Sequence, residues 1–135
     1  MAKSIEAIEG IGPKHGAKLR AAKCSSPAAL LRDGATKSGR KGICDRTGLS
    51  HALVLRCVNM ADLFRIKGVA TQYAELLEAV GVDTVKELRR RNAANLVAAM
   101  EKTNAKKKLV RQTPSLSMVE KWVAHAKELK PAVSY

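Results

Sequence analysis

The chain has 135 residues, room for one ordinary domain or two small lobes and not for a large multidomain enzyme. Its 25 Lys and Arg against 12 Asp and Glu leave a net charge of +13, a field that draws polyanions and puts nucleic acid ahead of an acidic membrane surface or an acidic protein as the partner class. There is no apolar run of about 18 residues, and the start "MAKSIEAIEG" lacks the apolar core of a secretion signal, so the expectation is a cytoplasmic protein, nucleoid-associated if it binds DNA, with no membrane partner.

The side-chain inventory narrows the chemistry further. Cys24, Cys44 and Cys57 are odd in number and contain no C-x-x-C pair, which argues against a disulfide framework and against a zinc ribbon. Reduced, buried thiols are expected. His15, His51 and His125 stand far apart and match no metal-ligand spacing, so neither metal nor cofactor is expected. Phe64, Tyr73, Trp122 and Tyr135 are all the aromatics, too few to stack many unpaired bases. Duplex DNA is therefore the favoured partner, with RNA as the second choice.

In chain order, residues 4–9 predict a short helix that breaks at Gly10, and Pro13 suits the first position of the next helix because its φ is already fixed. Ser26 before Pro27 starts a helix over 27–32. Thr36 caps 37–47, Gly48 supplies a left-handed stop, and Ser50 caps 51–63. Thr84-x-x-Glu87 has the reciprocal capping arrangement, Asn92 precedes a helix over 93–103, and Ser117-x-x-Glu120 opens the last helix, which must end by Pro131. No segment alternates with period two, so the fold class is all-α, without a sheet.

Sliding the chain on itself by 58 residues lays 8–30 on 66–88: Ile8 meets Ile66, Gly10 meets Gly68, Leu19 meets Leu77, Ala21 meets Ala79 and Leu30 meets Leu88. A shift of 65 lays Val54, Cys57, Val58 and Ala61 on Val119, Trp122, Val123 and Ala126. The pattern predicts a tandem duplication, with one unit over 1–64 and a second over 65–135, packed as one compact helical domain around a shared core.

"IEGIGPKHGAKL" at 8–19 holds the densest functional signal. Two glycines around one isoleucine suit a turn of two or three residues, with positive φ at the glycines and Ile11 plugging the core. Such a turn leaves the first amides of the following helix outward, at the positive end of its dipole, where a phosphate oxygen can be held. Lys14 and Lys18, one turn apart, would flank it. Ile5-x-x-Ile8-x-Gly10-Ile11-Gly12-x-x-x-Gly16-x-x-Leu19 resembles the helix-hairpin-helix motif, which implies sequence-independent contacts to the DNA backbone. Leu63-x-x-Ile66-x-Gly68-Val69-Ala70-x-x-x-Ala74-x-x-Leu77 resembles a second copy, and the whole chain resembles a bacterial family known only as a domain of unknown function and built from tandem hairpins of this kind. The second copy departs where Ala70 replaces a glycine and Thr71-Gln72-Tyr73 replace Pro13-Lys14-His15, so the first hairpin is expected to hold phosphate and the second to be mainly structural.

The candidate nucleic-acid contacts are Gly10, Ile11, Gly12, Lys14, His15 and Lys18 of the first hairpin, Lys37, Arg40 and Lys41 of a basic cluster, and Lys67 and Gly68 of the second hairpin. Arg89-Arg90-Arg91 and Lys106-Lys107-Lys108 with Arg111 are further charge runs. Residues 43–59 offer a rival: a helix-turn-helix with Gly48 at its turn, Ile43, Cys44, Leu49, Val54 and Cys57 inside, and His51, Arg56 and Asn59 outward to read base edges. Glycosylases also use helix-hairpin-helix units, but no catalytic aspartate stands in recognisable context, so no enzyme activity is expected. The other alternative is a protein-interaction or homo-oligomerisation module, which an exposed Trp122 would favour.

Overall fold

Hydroxyl and amide side chains set most of the helix starts. The computed structural model describes residues 5–8 and 11–135, and all regular structure among them is helical. A 3-10 turn at Ile5–Ala7 precedes α1 (Pro13–Ala21), α2 (Pro27–Gly34), α3 (Lys37–Thr47), α4 (His51–Leu63), α5 (Thr71–Ala79), α6 (Val85–Leu88), α7 (Ala93–Lys107) and α8 (Leu116–Glu128). The side chains of Ser26, Thr36, Ser50, Thr84, Asn92 and Ser115 each accept from the amide three residues on, at 3.0–3.2 Å. Each such cap is worth about 1 kcal/mol.

The helix limits differ from the sequence reading in three places. Ser115, not Ser117, caps α8; Pro114 holds the residue before it out of the helical region, and the helix starts as soon as that constraint ends. Glu87 does not return the Thr84 cap, because its Oε1 accepts from Arg91 Nε at 3.1 Å instead. And α7 runs past 103 to Lys107, since no glycine or proline interrupts it; it stops where Lys108 turns left-handed at φ 52° and Asn104 exchanges two 3.0 Å bonds with the backbone of Val110.

The chain divides into two compact units, Met1–Asp62 with Ala132–Tyr135, and Leu63–Pro131. The boundary falls ahead of the expected 64/65, and the last four residues belong with the first unit. Arg40 is the reason for their return: its Nη2 donates to Ser134 O at 2.6 Å while Ser134 N donates to Ala35 O at 2.8 Å.

Within each unit the same backbone pattern recurs at an offset of 58. Ile8 N bonds Ile5 O and Ile11 N bonds Ile8 O; Ile66 N bonds Leu63 O and Val69 N bonds Ile66 O, all at 3.1–3.3 Å. Gly16 N to Gly12 O and Ala74 N to Ala70 O open the next helices, both at 2.9 Å, and Cys24 N to Leu19 O and Val82 N to Leu77 O close them, both at 2.8 Å. The side chains that enforce the bend are buried in both copies: Ile5, Ile8, Leu19 and Leu30, and Leu63, Ile66, Leu77 and Leu88, each at most 1 % exposed. The offset of 65 holds for α4 and α8, both 13 residues long, whose matched positions 54, 57, 58 and 61 and 119, 122, 123 and 126 are all buried.

All three cysteines are free and buried. Burial, reinforced by Asp33, pushes the Cys24 thiol pKa up, and burial pushes up that of Cys44, so both stay protonated and unreactive.

Three substitutions probe this packing. Gly34→Ala would bring a Cβ to 2.6 Å from Val58 Cγ2 and is expected to lower stability by about 1–3 kcal/mol. Gly12→Ala, with nothing within 4 Å of its Cβ, is expected to be near neutral. Lys23 sits at φ 67° where its repeat partner Gly81 sits at φ 92°, so Lys23→Gly should raise stability by about 0.5–1 kcal/mol as left-handed strain is relieved. Urea midpoints of the three variants check the order.

Candidate nucleic-acid interface

The first hairpin is built by burial on one side and exposure on the other. Ile11 is buried, as its position between glycines suggested, and Gly12 caps α1 with an exposed backbone. Gly10 lies outside the described residues. Gly12 is extended, at φ −82° and ψ 176°, and Ala70 in the second copy is extended as well, at φ −102° and ψ −179°. The expectation of positive φ at this later position is corrected: any residue adopts that backbone, so Ala70 carries no strain there. Positive φ belongs instead to Gly68, at 93°.

Lys14 and Lys18 are exposed one turn apart on α1, and His15 is half-buried beside them. Glu6 lies against Gly16 and pairs with Arg20. Residues 16 and 20 are turned roughly 200° about the axis from 14 and 18, at about 100° per residue, so that carboxylate neutralises the opposite face. Among the described residues no side chain caps α1, whose first turn lacks the hydroxyl or amide partner that opens α2, α3, α4, α6, α7 and α8.

The turn before α5 is contacted by α8. Lys67 N donates to His125 Nδ1 at 3.1 Å, and a Cβ at Gly68 would stand 3.1 Å from Trp122 Nε1. Trp122 is 2 % exposed and packs on Tyr73 with ring centroids 5.2 Å apart, so it belongs to the core and offers no docking surface. Where Lys14 and Lys18 stand in the first copy, the second has Gln72 and the buried Leu76. Lys67 and Gly68 are both exposed, but the Lys67 amide is already engaged by His125.

The basic cluster on α3 separates into three roles. Lys37 is exposed; Lys41 is exposed and pairs with Asp45 at 3.1 Å, a surface ion pair worth about 0–1 kcal/mol. Arg40 is 6 % exposed, and its guanidinium is occupied by Gly34 O at 3.0 Å, Ala35 O at 3.1 Å and Ser134 O, with the Tyr135 ring 5.8 Å away. It holds the fold and leaves the contact set. Lys37, Lys41, His51, Leu55 and Tyr135 join it around a cavity of about 660 Å³, which no residue of the first hairpin lines.

The helix-turn-helix alternative meets a direct obstacle. Gly48 does turn left-handed at φ 75°, and Ile43, Cys44, Leu49, Val54 and Cys57 are all buried. Yet every residue from Cys57 to Leu63 is buried too, and Asn59 accepts from the Tyr135 hydroxyl at 3.3 Å. Leu55 and Arg56 are half-buried, and of the three reading positions His51 alone is exposed. Such a helix has no free face along its length to lay in a groove.

One group of cations was legible only as part of a charge run. Arg91 is tied to Glu87 and to Gly81 O, but Arg89 and Arg90 join Lys86 and Lys127 around a cavity of about 450 Å³. Comparing the repeats would have marked them, since Ala28, Leu31 and Asp62 hold three of the matching positions in the first copy.

Residues 9–129 match the family described as "Domain of unknown function (DUF4332)", and the chain belongs to that family. No curated protein and no solved structure matches it.

The assignment of Arg40 to structure has its own test. Arg40→Met removes three backbone-directed bonds and is expected to cost about 2–4 kcal/mol in thermal or urea unfolding. Duplex binding measured well below the new midpoint should keep the parent salt dependence.

Proposed function

We propose that this member of the family is a non-catalytic protein that binds duplex nucleic acid through its phosphates, largely without regard to sequence, and that its first hairpin, of the helix-hairpin-helix type, makes the central contact. The observation that carries this reading is the exposed start of α1: an uncapped first turn behind Gly12, with Lys14 and Lys18 exposed on one face and the Glu6 carboxylate turned to the other. A phosphate there would accept from backbone amides at the positive end of the helix and sit between two ammonium groups. The excess charge of +13 supports the same class of partner by drawing polyanions to the molecule at long range.

In this reading the second hairpin is a packing unit, because His125 and Trp122 of α8 engage its turn and no lysines stand at the positions of Lys14 and Lys18, and Lys37 and Lys41 are secondary contacts. A phosphate clamp of this kind engages DNA and RNA duplexes alike, with DNA favoured. Base reading is not part of the function, for Asn59 is buried and Arg56 half-buried on α4.

Two measurements decide the matter. If each bound protein neutralises about 4–6 phosphates, log K should fall with log salt at a slope of about −4 to −5. The Lys14→Glu, Lys18→Glu double variant should keep its helical circular dichroism and bind a duplex at least about tenfold more weakly at low salt, consistent with two lost charge-assisted contacts. Equal affinity of that variant and the parent would overturn the hairpin assignment.

A further inference from the structure

The second unit carries a concentration of charge that its packing does not require. Lys86 lies on α6, Arg89 and Arg90 on the turn that ends it, Lys127 in the last turn of α8, and with Pro131 they line a cavity of about 450 Å³. No carboxylate among the described residues lines it. Glu87, the acid of α6, is drawn off by Arg91, at 3.0–3.1 Å. The wall at Pro131 is fixed by its neighbour, since Arg65 Nη2 donates to Lys130 O at 2.7 Å, and proline adds no amide that could compete for water or anion.

The repeat supplies a control for what this arrangement is for. The first unit opens α2 as the second opens α6, with Leu30 N bonded to Ser26 O just as Leu88 N is bonded to Thr84 O, both at 3.0 Å, but α2 continues through positions 31 and 32 where α6 has already ended. At the positions matching Lys86, Arg89, Arg90 and Lys127 it has Ala28, Leu31, Arg32 and Asp62. Of these Arg32 is paired with Asp33, and Asp62 is buried. The first unit thus holds these positions with alanine, leucine, an ion-paired arginine and a buried acid, and three of the four cations around the cavity are an addition. Cations at helix ends are favourable singly, but α6 is only four residues long and offers little dipole to balance three of them.

We propose that this cavity is a binding site for an anion carrying two or more adjacent phosphates. Two guanidinium forks and two ammonium groups can engage several phosphate oxygens at once, the arginines bidentately and the lysines as point charges. The cavity volume suits a small polyphosphate group and falls within the range of small-ligand sites. The ligand is either a free polyphosphate compound or the phosphates of a nucleic-acid strand. The site stands whether or not the first hairpin binds nucleic acid, because its residues and its test are separate.

The test is calorimetric titration of the full chain with sodium tripolyphosphate at fixed ionic strength. Saturable binding at one site per chain is expected, weakened about tenfold or more in Arg89→Gln, Arg90→Gln and unchanged in Lys106→Gln, Lys107→Gln, which removes the same charge from the end of α7. Circular dichroism confirms that both variants fold. No binding by the parent chain, or equal weakening in both variants, would overturn the proposal. The source is read by adding a short DNA duplex to the Lys14→Glu, Lys18→Glu variant. Displacement of tripolyphosphate supports a nucleic-acid strand as occupant of the site, and its retention supports a free polyphosphate.

Discussion

Three apolar side chains at intervals of three residues impose the constraint on which each unit is built. Ile5, Ile8 and Ile11, and Leu63, Ile66 and Val69, are all buried, and burying residues at that spacing takes the chain through two successive i to i+3 turns. An α-helix would rotate the third of them away from the first, so the segment bends instead. The bend delivers the next helix start outward, with its first amides at the surface. Removal of apolar area from water drives the turn, and the exposed helix end is its by-product.

The two copies use that by-product differently. In the first, the α1 start remains uncapped and flanked by lysines. In the second, Trp122 and His125 of α8 lie over the turn, one packed against Gly68 and the other accepting from the Lys67 amide. The matching positions on α4 are Cys57 and Met60. Neither has an aromatic ring, so the contacts that Trp122 and His125 make have no counterpart in kind on α4. Charge has moved in the opposite sense: the second copy has lost the lysines of its hairpin and gained cations around the corner between α6 and α8. A duplicated scaffold thus carries its positive charge at two different places, which separates the packing role of each position from its chemical role.

Arg40 shows how a cation in a basic sequence cluster can be consumed by the fold. Lys37, Arg40 and Lys41 read as one patch, yet the middle residue satisfies three backbone carbonyls, including one from the chain's last residues. Arginine fits this duty because its planar fork reaches several acceptors in fixed geometry, and a buried guanidinium is tolerable only when so engaged. Its neighbours, with flexible stems and compact charges, stay in water.

The sequence by itself determined the all-α class, most helix starts and the matched apolar offsets between the two halves. These depend on local chemistry: a hydroxyl three residues before an amide, a proline at a first turn, a glycine at a left-handed stop, and apolar side chains at matched offsets. It also marked the start of α1, because Ile11, Gly12, Lys14 and Lys18 are close in the chain. Tertiary structure alone decided that the later motif position is extended and needs no glycine, that Ser115 rather than Ser117 opens α8, that Arg40 and Asn59 are buried, and that His125 engages the Lys67 amide. It also gathered Lys86, Arg89, Arg90 and Lys127, whose separation in sequence hides them. Whether a charge faces water or a carbonyl depends on residues far along the chain, and no local pattern encodes which distant carbonyl, ring or helix will arrive.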